Sequence, residues 1–322
     1  MPAGHPDYDA IFSTTLKNYR PKLVDNVFGD RPLVSFLKRK DKIRLEDGGA
    51  KIVVPLLYAQ NSTAKSYSGY DTLDITPQEG ISAAEYEWKQ FAASIAISGI
   101  EEAKNRGKHA VVNLLKAKIM QAEMTIVDVM DEMFFGDGTT SGRDWNGLDL
   151  LVNDENATVT TVGGIDASDP DNAWWRSVVV DAADLGSTER DDAVWTNAYN
   201  TASSGNDKPD FAITTQELFE HYEDSLAPQL RFTSNNEADG RFQNLAFKGL
   251  TLYYDDYTPA GNTFFLNSKY IELVGHRDRW FRSTGFKEAI DKDARWAQIL
   301  SYGNMVVSNR ARQARVIGQT VA

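Results

Sequence analysis

Apolar and polar positions alternate and then change period across the first third of the chain. Residues 47–98 read as an extended two-stranded arm. Asp47-Gly48-Gly49 is a turn signal. Lys51 through Tyr58 reads as a strand, and Pro55, which lacks a ladder donor, puts it at an edge or a bulge. Residues Gln60 to Gly80 are polar and rich in Ser, Thr, Tyr and Gly. Glu85 through Gln90 alternates with period two, and Ala92 through Ile97 continues it. About twelve strand residues at ~3.3 Å each reach roughly 40 Å, more than a compact domain projects for its own use. Ser98-Gly99-Ile100-Glu101 has the capping-box pattern. Val111, Leu115, Ile119, Ala122, Ile126, Val129, Met130 and Met133 then make one face of a single helix over 98–135. That helix is about 55 Å long. Gly107 is a place for a bend, and Phe134-Phe135-Gly136-Asp137-Gly138 closes the helix. A hairpin of this length has too little core of its own. The pattern therefore implies a neighbouring subunit for it to lie on, and points to assembly instead of catalysis.

The remaining pattern is mixed. Residues 1–46 predict an arm with limited structure. Leu16, Tyr19, Leu23, Val27 and Phe28 suggest a short amphipathic helix interrupted by Pro21, and Pro32 to Arg39 a second one. The cluster Lys38-Arg39-Lys40 follows. After Gly136 come a short apolar stretch at Asn146 to Val152, a turn at Val162 to Asp166, and an apolar segment led by Trp174-Trp175-Arg176. A helix is predicted over about 188–203, ended by Ser204-Gly205-Asn206-Asp207. Phe211-Ala212-Ile213 reads as a buried strand, and Thr214-Thr215-Gln216-Glu217 as a second capping box opening a helix to about Leu226. Leu250 to Tyr254 and Thr263 to Asn267 read as strands joined through Pro259 to Asn262. Tyr270 to Val274 is another, and the end is strand-like around Met305-Val306-Val307. There is no internal repeat.

Composition narrows the function classes. The 322 residues are 42% hydrophobic and 25% charged, ordinary for a folded protein with an ample core. With no cysteine, disulfides, thiol catalysis and Cys-ligated zinc are excluded. Met1-Pro2-Ala3-Gly4-His5 does not predict a secretory signal, and no apolar run is long enough to predict a membrane span. The net charge of -12 is uneven. Residues 17–44 and the last fifty are basic, whereas about 128–239 is strongly acidic. Most such charges are solvated surface; the sharper reading is that basic and acidic parts of neighbouring copies meet, or that the basic ends face nucleic acid. A chain this acidic is a poor general DNA binder, because affinity comes largely from neutralising phosphates.

Candidate chemistry is thin. His5, His109, His221 and His276 share no ligand spacing, and there is neither a zinc His pair nor a nucleophile elbow. Gly136 to Gly142 is superficially like a phosphate loop, but its third glycine is displaced, it follows a helix, and it lacks the Lys-Ser/Thr. Asp166 to Asn172 carries oxygen ligands at alternate positions but lacks the glycine and bidentate Glu of a calcium loop. It reads better as a loop whose Asp169, Asp171 or Asn172 caps the next helix. Trp88, Trp174, Trp175, Trp195, Trp280 and Trp296 read as core and interface packing.

The order of these parts resembles the major capsid proteins of tailed bacteriophages, with the Hong Kong 97-type fold. The matching residues are Thr15 to Tyr19, Tyr67 to Ile75, Glu87 to Gln90, Ile97-Ser98-Gly99, Gly163 to Asp166, Phe264 to Tyr270 and Tyr302 to Met305. The resemblance implies an α+β fold. An N-terminal arm would cover 1–46, an extended β-hairpin E-loop 47–97, and a peripheral domain 98–206 with spine helix 98–135. An axial domain would cover 207–270, and residues 271–322 would complete the peripheral domain. It implies a structural protein, not an enzyme, that forms hexamers and pentamers of an icosahedral head around double-stranded DNA. Assembly in the host bacterial cytoplasm would end in the virion, with no cofactor, metal or membrane. Because fold signals begin by Leu16, a separate scaffolding protein is expected, together with a portal. Packaged DNA would be near the shell without being specifically bound. Tyr67, Tyr70, Trp88, Lys38, Arg39 and Lys40 are the candidate inter-subunit contacts, and Gly48, Gly49 and Gly99 the candidate hinge at the hairpin base. Some members crosslink through a Lys–Asn isopeptide bond; here Lys65 and Asn304 or Asn309 have suitable places but no marking motif. The alternative with the same fold is an encapsulin-like nanocompartment shell. A further alternative is an acidic hydrolase working through positions such as Asp166 and Asp169.

Overall fold

Two six-stranded sheets organise the chain. A computed structural model describes residues 31–104, 108–138, 142–182, 191–226 and 245–320. The amphipathic segment expected around Leu16 to Phe28 lies outside the described residues.

The first sheet is built on one long strand, β15 (Ala294–Val307, 14 residues). Along one edge it pairs antiparallel with all of β4 (Lys89–Ser98), from Gly303↔Lys89 to Ala294↔Ser98. Along the other it takes, in succession, β12 (Ile271–His276), β13 (Arg282–Ser283) and β14 (Lys287–Glu288). Parallel β1 (Ile43–Glu46) extends β12. The second sheet has the order β7 (Val178–Asp181), β16 (Ala314–Ile317), β11 (Thr263–Leu266), β8 (Phe211–Thr214), β10 (Leu250–Tyr254), β9 (Leu245–Phe247). The two strands expected to follow one another, β10 and β11, do so in sequence but not in space: β8 lies between them. All four β8 residues are buried. Phe211 and Ile213 face the main core and Ala212 the smaller one around Trp195, so both sides of this strand are covered. Such two-sided burial is what a continuous apolar run encodes.

Helix α1 (Pro32–Arg39) has the bounds its sequence predicts, with Pro at the start where no amide donor is needed. It buries Leu33, Val34, Phe36 and Leu37, and Phe36 stacks on Phe211 at 4.2 Å. The long helix expected over 98–135 is described as α2 (Gly99–Lys104) and α3 (Lys108–Phe135); Gly107 lies outside the described residues. The Ser98 capping box is formed in both directions: Ser98 Oγ accepts from the Glu101 amide and Glu101 Oε2 accepts from the Ser98 amide, each at 3.3 Å. Ile119, Ala122, Ile126 and Met130 are buried in the same core as Ile95 and Ile97 of β4, as the spacing predicts, but Val129 is exposed. Helix α4 (Leu148–Leu151) follows, then α5 (Asp191–Ala202) and α6 (Gln216–Leu226). The α6 cap is one residue later than expected. Thr215 Oγ1 accepts from the Leu218 amide, because the Thr214 hydroxyl is already engaged with Thr263 at 2.9 Å inside the sheet. Asp169 caps the kinked 3-10 segment Pro170–Trp175 by accepting from the Asp171 amide.

One expectation changes substantially. The arm is not a continuous pair of strands over 51–58 and 85–97. Its hairpin is β2 (Ile52–Leu57) against β3 (Ile81–Tyr86), in register from Ile52↔Tyr86 to Leu57↔Ile81. The chain then leaves it at Glu87-Trp88 and enters the first sheet as β4. Six paired residues at ~3.3 Å give a ladder of about 20 Å, half the projected reach.

Candidate assembly surfaces

The hairpin has two unlike faces. Period-two alternation turns Ile52, Leu56, Ala84 and Tyr86 inward, and all four are buried. The fold supplies their cover. Glu85 donates its amide to the Gly163 carbonyl at 2.9 Å. Gly163 and Gly164 form the tight turn between β5 (Thr161–Val162) and β6 (Ile165–Asp166) with φ of 62° and 76°, a conformation glycine adopts without strain. A side chain at Gly163 would also run into Ala84. Tyr86 donates its hydroxyl to the Val307 carbonyl at 2.8 Å, and burial pushes that phenol well above its ordinary range. Tyr58 stacks on Trp174 at 5.1 Å. The inner half of the hairpin thus rests on its own subunit.

The outer face and tip have no such cover. Leu57 and Ile81, paired across the ladder, are each about 80% exposed. Ile75 is 92% exposed, and Val53, Tyr67, Tyr70 and Leu73 are exposed as well. The tip, residues 58–80, contains no strand and is held by its own polar side chains. Ser62 donates to Gln78 at 2.7 Å, Lys65 Nζ to the Thr72 carbonyl at 3.2 Å, and the Ser68 amide to Asp71 at 2.7 Å. The Thr76 hydroxyl and amide both donate to Asp74, which holds that carboxyl below its usual range. Aliphatic side chains raised on a self-supported loop form an apolar surface that water disfavours.

The structure separates the contact candidates. Tyr67 and Tyr70 stand free at the tip. Trp88 is half-buried, donating its indole N–H to the Gly49 carbonyl at 3.0 Å and meeting His276 edge-on. Arg39 donates to the Tyr253 hydroxyl at 3.0 Å, and Lys40 pairs with Asp210 at 3.2 Å, so both tie α1 to the second sheet's side of the fold. Lys38 is exposed. Gly48 and Gly49 adopt φ of 142° and 132°, values that favour glycine, just before the hairpin. Gly99 is not at the hairpin base. It lies at the far end of the ten-residue β4, donates its amide to the Asp293 carbonyl, and packs so closely that a side chain would meet the Asp293 carboxylate.

Two polar brackets behind the hairpin have no obvious sequence signal. Asn304 Oδ1 accepts from the Asn146 and Met305 amides, and Nδ2 donates to the Glu87 carbonyl at 2.9 Å. This fixes the point where hairpin becomes sheet, and its side chain is fully engaged and buried. Arg310 is fully buried over the Trp175 ring and donates to the carbonyls of Leu151 and Asn153, closing the end of α4. Burial pushes its guanidinium down to about 10. Beside β4 lies a cavity of about 330 Å3 between Phe91–Ala96 and the α3 residues Lys118, Ala122, Thr125 and Val129. Met120 and Met124 are exposed elsewhere on α3.

In the 166–172 loop, the Asp166 and Asp169 carboxylates accept from Ser168 and from the Asp171 amide, as a capping loop requires. Among the described residues no group of three or more His, Asp or Glu is placed to hold a metal ion, and no helix is long and apolar enough to cross a membrane.

No protein-family profile and no curated protein matches the chain in sequence. Solved structures do match in shape. The capsid of cyanophage A-1(L) superposes with a TM-score of 0.63 at 15% identity, over 86% of this chain and 90% of that one. The procapsid of satellite phage P4, determined with its size determination (Sid) protein, gives 0.55 at 12% over 99% of both. The SrpI encapsulin of Synechococcus elongatus PCC 7942 gives 0.52 at 10%, over 89% and 90%. Across nearly its whole length, the chain has the α+β fold of phage major capsid proteins.

Proposed function

We propose that this chain is the major capsid protein of a tailed phage, assembling as hexamers and pentamers into a closed icosahedral head around double-stranded DNA. The observation that carries the reading is the outer hairpin face: Leu57, Ile81 and Ile75 exposed on a projecting element of a capsid-like fold. Full burial of each such side chain is worth roughly 1.5–3 kcal/mol, which a neighbouring copy can recover. On this reading residues 47–88 are the E-loop, residues 1–46 the N-terminal arm, α2 and α3 the spine of the peripheral domain, and residues 207–270, which supply four strands of the second sheet, the axial domain. The hairpin of one copy lies across the β4–α3 trough and exposed α3 residues of the next. Tyr67 and Tyr70 contribute at the tip, and Gly48-Gly49 is the pivot. Obligate interfaces of this kind bury on the order of several thousand Å2 per subunit. A scaffolding protein and a portal complete the set of partners, and assembly takes place in the bacterial cytoplasm.

Electron microscopy and sedimentation of the full-length chain, co-expressed with the scaffolding protein of its own genome, test the reading. Capsomers or closed particles are expected; monomers at every concentration overturn it. The encapsulin-like alternative is supported by the SrpI likeness. Purified particles decide: nuclease-protected DNA supports the phage head, and a stoichiometric protein cargo supports the compartment.

A further inference from the structure

Asp131 of α3 and Asp255, just beyond β10, are buried neighbours, each close enough for its charge to act on the other. They are 1% and 4% exposed. No donor reaches either Asp131 oxygen or Asp255 Oδ2; the other Asp255 oxygen accepts from the Tyr257 amide at 3.1 Å. Two carboxyl groups in contact without a donor need a proton between them, because like charges this close cannot both ionise in a buried site. Among the described residues the cation that acts on the pair is Arg31, which precedes α1. It contacts Asp131 at 3.5 Å and spends its shorter contact, 2.5 Å, on the exposed Asp128. The other groups facing the pair are Asp256 and Tyr257 on the loop; Tyr257 lies under the Arg31 guanidinium at 5.7 Å, with Glu132 of α3 acting on its phenol. One guanidinium therefore serves three carboxylates, Asp128, Asp131 and Asp255.

We propose that the Asp131–Asp255 pair is a proton-dependent latch. One shared proton holds the long helix of the first sheet to the loop of the second, and its loss releases that junction together with the Arg31 end of α1. Burial, reinforced by the Asp255 charge and opposed by Arg31, pushes Asp131 up to about 8, and burial raises Asp255 as well. A carboxyl raised in the closed state binds its proton there and releases it on opening. The latch is thus fully closed at pH values below the ordinary carboxylate range, and the advantage is lost as pH rises toward about 8.

The test is hydrogen exchange by mass spectrometry on the full-length chain between pH 5 and 9, expressed as protection factors to remove intrinsic chemistry. Protection at residues 126–133 and 255–258 is expected to fall by about tenfold per pH unit between pH 5 and 7, and to level off beyond pH 8. In Asp131→Asn and Asp255→Asn the slope should flatten, because the shared proton is lost and only burial still acts on the remaining carboxyl. In Asp128→Asn, which alters only the exposed Arg31 contact, it should persist. A pH-independent wild type, or an unchanged slope in either Asn variant, overturns the latch. Should neither variant fold, the infrared band of a protonated carboxyl in the wild type at pH 6 decides: its absence overturns the proposal and its titration near pH 8 supports it. The measurement needs no particles, so its failure leaves the shell reading standing, and failure to assemble leaves the latch standing.

Discussion

The hairpin β2–β3 and the strand β15 alternate with the same period, yet they have opposite fates. β15 is paired along both edges, and its last five residues are all buried. The hairpin has one partner per strand and cover on one face only. Alternation alone therefore does not say whether a strand stabilises its own chain or offers itself to another. The covering elements decide, and in the hairpin they stop at Gly163, Val307 and Trp174.

The largest expected effect separates these roles outright. Leu57→Asp with Ile81→Asp on the outer face should abolish particles in sedimentation and microscopy, while leaving chain stability within about 1 kcal/mol, as for ordinary surface changes. Particles in normal yield would make the outer hairpin face irrelevant to assembly. Asn304→Leu is the converse. It strands two buried amides and a carbonyl, and should lower urea-unfolding stability by about 3 kcal/mol. A loss below 1 kcal/mol would mean that the bracket does not define the hairpin's base. Next comes Gly163→Ala, which forces a positive φ on a side chain and presses it against Ala84. The expected cost is about 1–2 kcal/mol, with faster exchange at the Glu85 amide; unchanged exchange there would show that the inner face needs no anchor. Smallest is Ser98→Ala, about 1 kcal/mol for a lost helix cap, read by the same unfolding curve and expected to leave particles intact.

Much of this was legible from local chemistry. The α1 boundaries, the Ser98 capping box, the Gly163-Gly164 turn and the buried β8 strand each depend on residues within a few positions of one another. What was not legible depends on distant partners. Nothing between Glu85 and Ile97 says that the strand changes sheets at Glu87-Trp88, because the partner that draws β4 away is β15. The second capping box was misplaced by one residue because Thr214 and Thr215 carry the same hydroxyl, and only the fold brings Thr263 to claim the first. Tyr67 and Tyr70, read as inter-subunit contact candidates, are exposed at the tip, whereas Leu57, Ile75 and Ile81 are not singled out by the sequence reading, although alternation about Ile52 and Tyr86 places Leu57 and Ile81 on the outer face. Asp131 and Asp255 lie on separate elements, and no local pattern links them.

The pairing of β4 with β15 also sets a timetable. Ser98 finds Ala294 roughly 200 residues later in the chain, so at ribosomal speeds of about 5–20 residues per second the wait is on the order of 10–40 s. Until then the β4 edge, and the hairpin base that Asn304 secures, lack their partners. A nascent or prematurely terminated chain therefore holds its projecting arm on an unfinished foundation, and only one translated through Val307 can present that arm in a defined direction to its neighbours.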